Sequence, residues 1–93
     1  MIEDMTVLSL AEGISFQSMG TGEGGVLLKV DSGQLFTCND TTSAFLTALD
    51  GRRTFADLLR VLLDEFDVAE DALRGDLRTL AGDLATRGIV RAQ

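Results

Sequence analysis

The period of the apolar positions changes near Asn39: before it they recur every second residue, after it every third or fourth. Gly13-Ile14-Ser15-Phe16-Gln17-Ser18 alternates apolar with polar at Ile14 and Phe16, the pattern of a half-buried strand. Val26-Leu27-Leu28-Lys29-Val30 is a β-rich run, and Asp31-Ser32-Gly33 ends it with a turn signal. Gln34-Leu35-Phe36-Thr37-Cys38 resumes the extended pattern, with apolar Phe36 and Cys38 two apart. Together these runs predict a three-stranded meander over 13–39. Between its first two strands, Met19-Gly20-Thr21-Gly22-Glu23-Gly24-Gly25 reads as a flexible loop. Met5 to Leu10 fits either a short strand or an ordered arm, and residues 1–12 are assigned to an N-terminal arm.

Residues 40–90 read as a three-helix part. Asn39-Asp40 supplies helix-start chemistry ahead of Ala44, Phe45, Leu46 and Leu49, so a first helix is expected from about Thr41 to Leu49, ended by Asp50-Gly51. Thr54-x-x-Asp57 has the spacing of a capping box and opens a second helix with Phe55, Leu58, Leu59, Leu62 and Phe66 on one face. Asp67-x-x-Glu70 resembles a further start signal. The third helix carries Leu73, Leu77, Leu80 and Leu84 in one narrow stripe, and Gly88 sits where a helix-ending glycine is expected, before an apolar clasp of Ile89 and Val90. At about 100° per residue, Asp76 and Asp83 lie on one flank of that stripe and Arg74 and Arg78 on the other. The predicted core is Phe16, Leu28, Phe36, Phe45, Leu49, Phe55, Leu59, Leu62, Leu77 and Leu84. The fold class is α+β, one domain over 1–93.

Composition narrows the function classes. Ninety-three residues make one small domain, and a hydrophobic content of 45% suits a folded globule rather than an acidic disordered tail. Eight basic against fifteen acidic side chains give a net charge of −7, which repels nucleic acid and favours basic partners. With no His, the commonest general base and metal ligand is missing, and a single Cys forms neither an internal disulfide nor a thiolate metal cluster. No apolar run reaches the roughly 20 residues of a membrane span, and Met1-Ile2-Glu3-Asp4 lacks the basic region of a signal peptide. The expectation is a cytoplasmic protein with no metal, no cofactor and no membrane contact.

Other candidate chemistries are weaker. Gly20-x-Gly22-x-Gly24-Gly25 has a superficial likeness to a phosphate loop but lacks the following Lys-Ser or Lys-Thr and an immediate helix. Asp31-Ser32 matches the attachment dipeptide of acidic phosphopantetheine carrier proteins, where the Ser opens a helix; here Gly33 and a strand follow, as in a turn. Cys38 has no His to activate it as a nucleophile. Asp64-Glu65 and Glu70-Asp71 sit at helix ends, where solvation and the helix dipole account for them. A winged-helix DNA regulator would need a basic recognition helix, whereas the third helix balances Arg74, Arg78 and Arg87 against Glu70, Asp71, Asp76 and Asp83.

The order of these features resembles the PqqD-like family, the recognition elements for ribosomally synthesised, post-translationally modified peptides. The resemblance is carried by the strand Val26-Leu27-Leu28, the turn ending at Gly33, the strand reaching Asn39, Thr41, Asp50-Gly51, Arg53-Thr54, Asp76-Leu77, Leu80, Leu84 and Gly88-Ile89-Val90. It spans roughly Gly13 to Val90 and looks closest to the stand-alone elements of lasso-peptide pathways. Departures are Cys38 where the family usually has Leu, Asp40 where Pro is frequent, and Thr42 where Gly is common. The resemblance implies a winged-helix-like domain, a three-stranded antiparallel sheet followed by three helices, that catalyses nothing. It implies a partner, the leader segment of a precursor peptide, added as a strand and presented to a leader peptidase and a cyclase. By position, the peptide-binding residues it implies are Gln34, Leu35, Phe36, Thr37 and Cys38 of the strand, with Leu73, Asp76, Leu77, Leu80 and Asp83 of the third helix.

Overall fold

The computed structural model describes residues 2–20 and 22–92; Met1, Thr21 and Gln93, and with Thr21 one position of the expected loop, lie outside the described residues. The elements run β1 (Leu8–Leu10), β2 (Ile14–Ser18), β3 (Gly25–Lys29), β4 (Gln34–Cys38), α1 (Asp40–Ala48), α2 (Phe55–Glu65), α3 (Glu70–Thr86) and β5 (Val90–Ala92). The expected α+β architecture is present, an antiparallel sheet of order β2-β3-β4 followed by three helices. The structure adds a second, two-stranded sheet in which β1 pairs with β5, Leu8 opposite Ala92 and Leu10 opposite Val90. Of the two options for the arm, Leu8–Leu10 is therefore a strand.

Strand register decides which apolar residues face the helices. Phe16 stands opposite Leu27, and Leu27 opposite Phe36, so these three share one face. Leu28 stands between Ser15 and Leu35 on the other face. The expectation of Leu28 in the core is thus corrected to Leu27, which is 1% exposed. Three consecutive apolar residues, Val26-Leu27-Leu28, carry no phase, and only the pairing with β2 and β4 supplies one. Phe45, Phe55, Leu59, Leu62, Leu77 and Leu84 are buried as expected, while Phe16, Phe36 and Leu49 are half-buried and pack against that cluster.

Two glycines allow the β2–β3 loop to close. Gly24 has φ +71°, and a Cβ there would overlap the Cys38 carbonyl oxygen; at Gly25 it would run into the Phe16 ring. The loop is then pinned to α1: the Gly24 N–H donates to Asp40 Oδ1 at 2.8 Å, and Ser43 Oγ donates to the Gly24 carbonyl at 3.1 Å.

Local chemistry places the helix ends. Asn39 caps α1, its Oδ1 accepting from the Thr42 N–H at 2.8 Å. The capping box at α2 is complete: Thr54 Oγ1 accepts from the Asp57 N–H and Asp57 Oδ2 from the Thr54 N–H. Asp67 does not open α3; the cap position is Ala69, with no side-chain cap bond, and Glu70 and Asp71 in the first turn complement the helix dipole instead. At the far end the Ile89 N–H reaches the Leu84 carbonyl and the Gly88 N–H the Ala85 carbonyl, a Schellman motif made possible by Gly88 at φ +76°.

The N-terminal arm completes α2. Two donors of its first turn, the Phe55 and Ala56 N–H groups, give to the carbonyls of Thr6 (2.8 Å) and Asp4 (3.0 Å), acceptors the helix itself does not provide. The Asp4 carboxylate then receives both Arg74 (2.7 Å) and Arg78 (2.9 Å) of α3, and the Arg78 guanidinium lies 5.1 Å from the centre of the Phe55 ring.

Two outcomes are expected. Leu77 is 0% exposed, so Leu77→Ala should cost about 2–5 kcal/mol in chemical denaturation. A loss under about 0.5 kcal/mol would be that of a surface site. The Thr54 N–H, then the Thr54 hydroxyl, then the charges of Arg60 and Arg53 hold the Asp57 carboxyl below its ordinary range. A depressed carboxyl contributes stability that is present above its unfolded value and lost as pH falls through the folded one. In melting curves taken below about pH 4, the wild type should lose its advantage over Asp57→Asn; an advantage that persists unchanged into acid would contradict the capping geometry.

Candidate functional site

A three-stranded sheet has two edges, here β2 and β4. Which backbone groups each edge presents follows from the alternation of hydrogen-bonded pairs. The Val30 N–H bonds the carbonyl of Gly13, directly opposite it, and the Met19 N–H that of Gly24. Ser15–Leu28 and Gln17–Val26 are therefore the bonded pairs between β2 and β3. On β3 this leaves Gly25, Leu27 and Lys29 to bond β4, at Cys38, Phe36 and Gln34. The N–H and C=O groups of Leu35 and Thr37 consequently point away from β3, on the side where β4 has no strand neighbour.

Side chains of β4 alternate in the opposite sense. Gln34, Phe36 and Cys38 share the face of Leu27, where Phe36 and Cys38 are half-buried against the core; Leu35 and Thr37 are exposed on the outer face, Leu35 at 68%. Burial pushes the Cys38 thiol up, which keeps it protonated at neutral pH and works against a nucleophilic role. No residue in Gln34–Cys38 is charged or Pro, so the strand carries none of the usual blocks to pairing.

The sequence-expected helix residues separate into two groups. Leu73 and Leu77 are core residues, 5% and 0% exposed. Leu80 is half-buried, and Asp76 and Asp83 are exposed beside it, at i, i+4 and i+7 spacing along one flank of α3. Asp83 pairs with Arg87 at 3.3 Å, while Asp76 has no ion-pair partner among the described residues. The opposite flank is already occupied: Arg74 and Arg78 hold Asp4, and Arg74 also holds Glu70 at 3.4 Å. The open flank is the acidic one. The Lys29 ammonium donates to the Arg87 carbonyl at 3.3 Å, which ties the C-terminal end of α3 to the end of the sheet where β4 begins.

Sequence reasoning missed Asp4 and Lys29. One carboxylate in an arm without periodicity, and one Lys within a strand, give no signal of the contacts they make across the fold. Ser32 lies in the β3–β4 turn rather than at a helix start, and the described residues contain no cluster of metal-ligating side chains. No helix among them is long and apolar enough to cross a membrane.

The family described as "Coenzyme PQQ synthesis protein D (PqqD)" matches residues 24–90, most of the chain. The chain belongs to the PqqD family. Its matched region takes in β3, β4 and all three helices, whereas β1, β2 and the arm precede it. No curated protein matches by sequence. Two solved structures share the fold. The PqqD truncation of Methylobacterium extorquens PqqCD, a stand-alone recognition element for ribosomally synthesised and post-translationally modified peptides, is 21% identical, with a TM-score of 0.77 over 98% of this chain and 95% of that one. TbiB1 in complex with the TbiA(beta) leader peptide is 17% identical, with a TM-score of 0.77 over 89% of this chain and 94% of that one.

The edge geometry has a direct check. Pro at position 35 or 37 removes an N–H that the sheet does not use, so Leu35→Pro and Thr37→Pro should melt close to Leu35→Ala and Thr37→Ala. Phe36→Pro removes a ladder bond and should be less stable than Phe36→Ala by about 1–3 kcal/mol. The reverse order would invert the assignment of outward groups.

Proposed function

We propose that this PqqD-family domain is a non-catalytic recognition element that binds the leader segment of a ribosomally made precursor peptide as a fourth strand on β4. The observation that carries this is the outward pair of backbone groups at Leu35 and Thr37 on an uncharged, Pro-free edge. Strand addition gains affinity from main-chain hydrogen bonds and selectivity from pockets for alternate side chains. The leader complex of TbiB1 and the recognition element from M. extorquens, which share the fold, support the same reading.

In this proposal leader side chains on the inner face meet Gln34, Phe36 and Cys38 and the open flank of α3, where Leu80 supplies apolar contact and Asp76 and Asp83 supply charge. Leu73 and Leu77, being buried, form the wall behind Leu80 rather than touching the peptide. On the outer face a leader side chain lies beside Leu35 or Thr37. The unpaired Asp76 favours a leader with Lys or Arg at that point. A half-exposed pair of this kind contributes only about 0–1 kcal/mol, so the apolar contacts dominate. The bound leader is then presented to a separate leader peptidase and a cyclase of a lasso-type pathway, in the cytoplasm.

Titration calorimetry with the precursor peptide encoded beside this chain tests the proposal. A dissociation constant in the nanomolar to micromolar range is expected, about −8 to −12 kcal/mol. Leu80→Asp should weaken binding at least about tenfold, equivalent to about 1.4 kcal/mol, with Asp76→Asn weaker in effect and Arg74→Ala and Arg78→Ala nearly silent, each variant first checked for folding by circular dichroism. No heat at about 100 μM peptide, a concentration well above that range, would remove the proposal. Loss of binding in the Arg variants alone would move the site to the other flank of α3.

A further inference from the structure

The sheet's other edge, β2, also has no strand neighbour on its outer side, and it borders a cavity. Along β2 the bonded pairs with β3 are those of Ser15 and Gln17, so the N–H and C=O groups of Phe16 and Ser18 point outward, with no backbone partner among the described residues. β2 reads Ile-Ser-Phe-Gln-Ser, again without charge or Pro. Ser18, at the end of this edge, also lines a cavity of about 470 Å³ between the β2–β3 loop, α1 and α2. That volume lies within the roughly 300–1,000 Å³ of ordinary ligand pockets.

The lining has a definite chemistry. Ala44 and Ala48, one turn apart on α1, leave room that larger side chains would fill, and Val61 and Phe66 close the apolar floor from the side of α2. Asp40 and Glu65 stand among the lining residues as carboxylates. Asp40 uses one oxygen on the Gly24 N–H, and Glu65 has no cationic partner among the described residues. Arg53, the lining cation, is held at the Ala48 carbonyl at 2.8 Å and shares its charge with Asp50 at 3.9 Å, which leaves the two lining carboxylates in excess. The cavity therefore offers an apolar floor and negative charge next to an unpaired strand edge.

We infer that β2 and this cavity form a second strand-docking site, which takes an extended segment of a partner protein carrying alternating basic and apolar residues. Apolar side chains on the inner face of the added strand enter the cavity over Ala44 and Ala48, and a Lys or Arg beside them meets Glu65. β2 and β4 lie on opposite sides of β3, about 10 Å apart at the usual inter-strand spacing, so the two edges accept two chains at once. The inference rests on the β2 edge and the cavity, independently of what binds β4.

The test uses the full chain, ¹⁵N-labelled, titrated with a synthetic alternating Lys-Val octapeptide and, separately, with its Glu-Val counterpart. The Lys-Val peptide should shift the amide signals of Phe16, Ser18, Ala44 and Thr47. Glu65→Lys and Ser18→Pro should each weaken that interaction at least about tenfold and leave the precursor-peptide affinity at β4 unchanged. Shifts confined to Leu35 and Thr37, an absence of shifts at millimolar peptide, equal binding by the Glu-Val peptide, or undiminished binding in both variants would overturn the inference. Failure of the precursor peptide to bind β4 would count against the proposed function and leave these signals as they are.

Discussion

Hydrogen-bond alternation along β3 governs what this domain offers to a partner. Each β3 residue bonds only one neighbour, so once Val26 and Leu28 are committed to β2, Gly25, Leu27 and Lys29 are committed to β4. The free groups on each outer edge follow with no further choice. The same phase sends Leu27, Phe16 and Phe36 into the core and leaves Leu28 and Leu35 outside. A one-residue slip would exchange both sets at once, burying the outer face and turning the β4 acceptors and donors inward.

Contacts from outside the sheet secure that phase. Gly24 and Gly25 let the loop pass close to the Cys38 carbonyl and the Phe16 ring, and Asp40 and Ser43 of α1 hold the loop in place. The arm acts on the helices in the same way: its Thr6 and Asp4 carbonyls accept from the first turn of α2, and its Asp4 carboxylate takes both arginines of α3. With Glu70 also on Arg74, an α3 flank that would otherwise present two cations is neutralised, and the flank left open carries Asp76, Leu80 and Asp83. The negative character of the open flank thus arises as much from what the arm covers as from what α3 exposes.

Much of this was legible in the chain, and the parts that were not share a physical cause. Caps at Asn39, Thr54 and Gly88 were readable because each is a local bond within a few residues. The strand Gln34–Cys38 was readable because its alternation has a definite phase. Leu28 was misplaced because its neighbours are apolar on both sides, and Asp67 was overvalued because cap spacing alone does not show where the first turn begins. Pairing of Leu8–Leu10 with Val90–Ala92 joins two three-residue strands from distant parts of the chain, with no turn between them to announce it. Of the expected site, the strand half lies on the β4 edge of the sheet. The helix half divides by burial, which a stripe of leucines does not reveal: Leu73 and Leu77 lie inside, and Leu80 at the boundary.

Hydrogen exchange of individual amides, with and without the precursor peptide, tests the central claim most directly. In the free protein Phe36 should exchange slowly and Leu35 and Thr37 fast, because only the first bonds β3. On saturation with the peptide, Leu35 and Thr37 should become protected while the β2 amides of Phe16 and Ser18 stay as they were. Protection that appears elsewhere on the molecule and leaves Leu35 and Thr37 exchanging freely would contradict strand addition at β4.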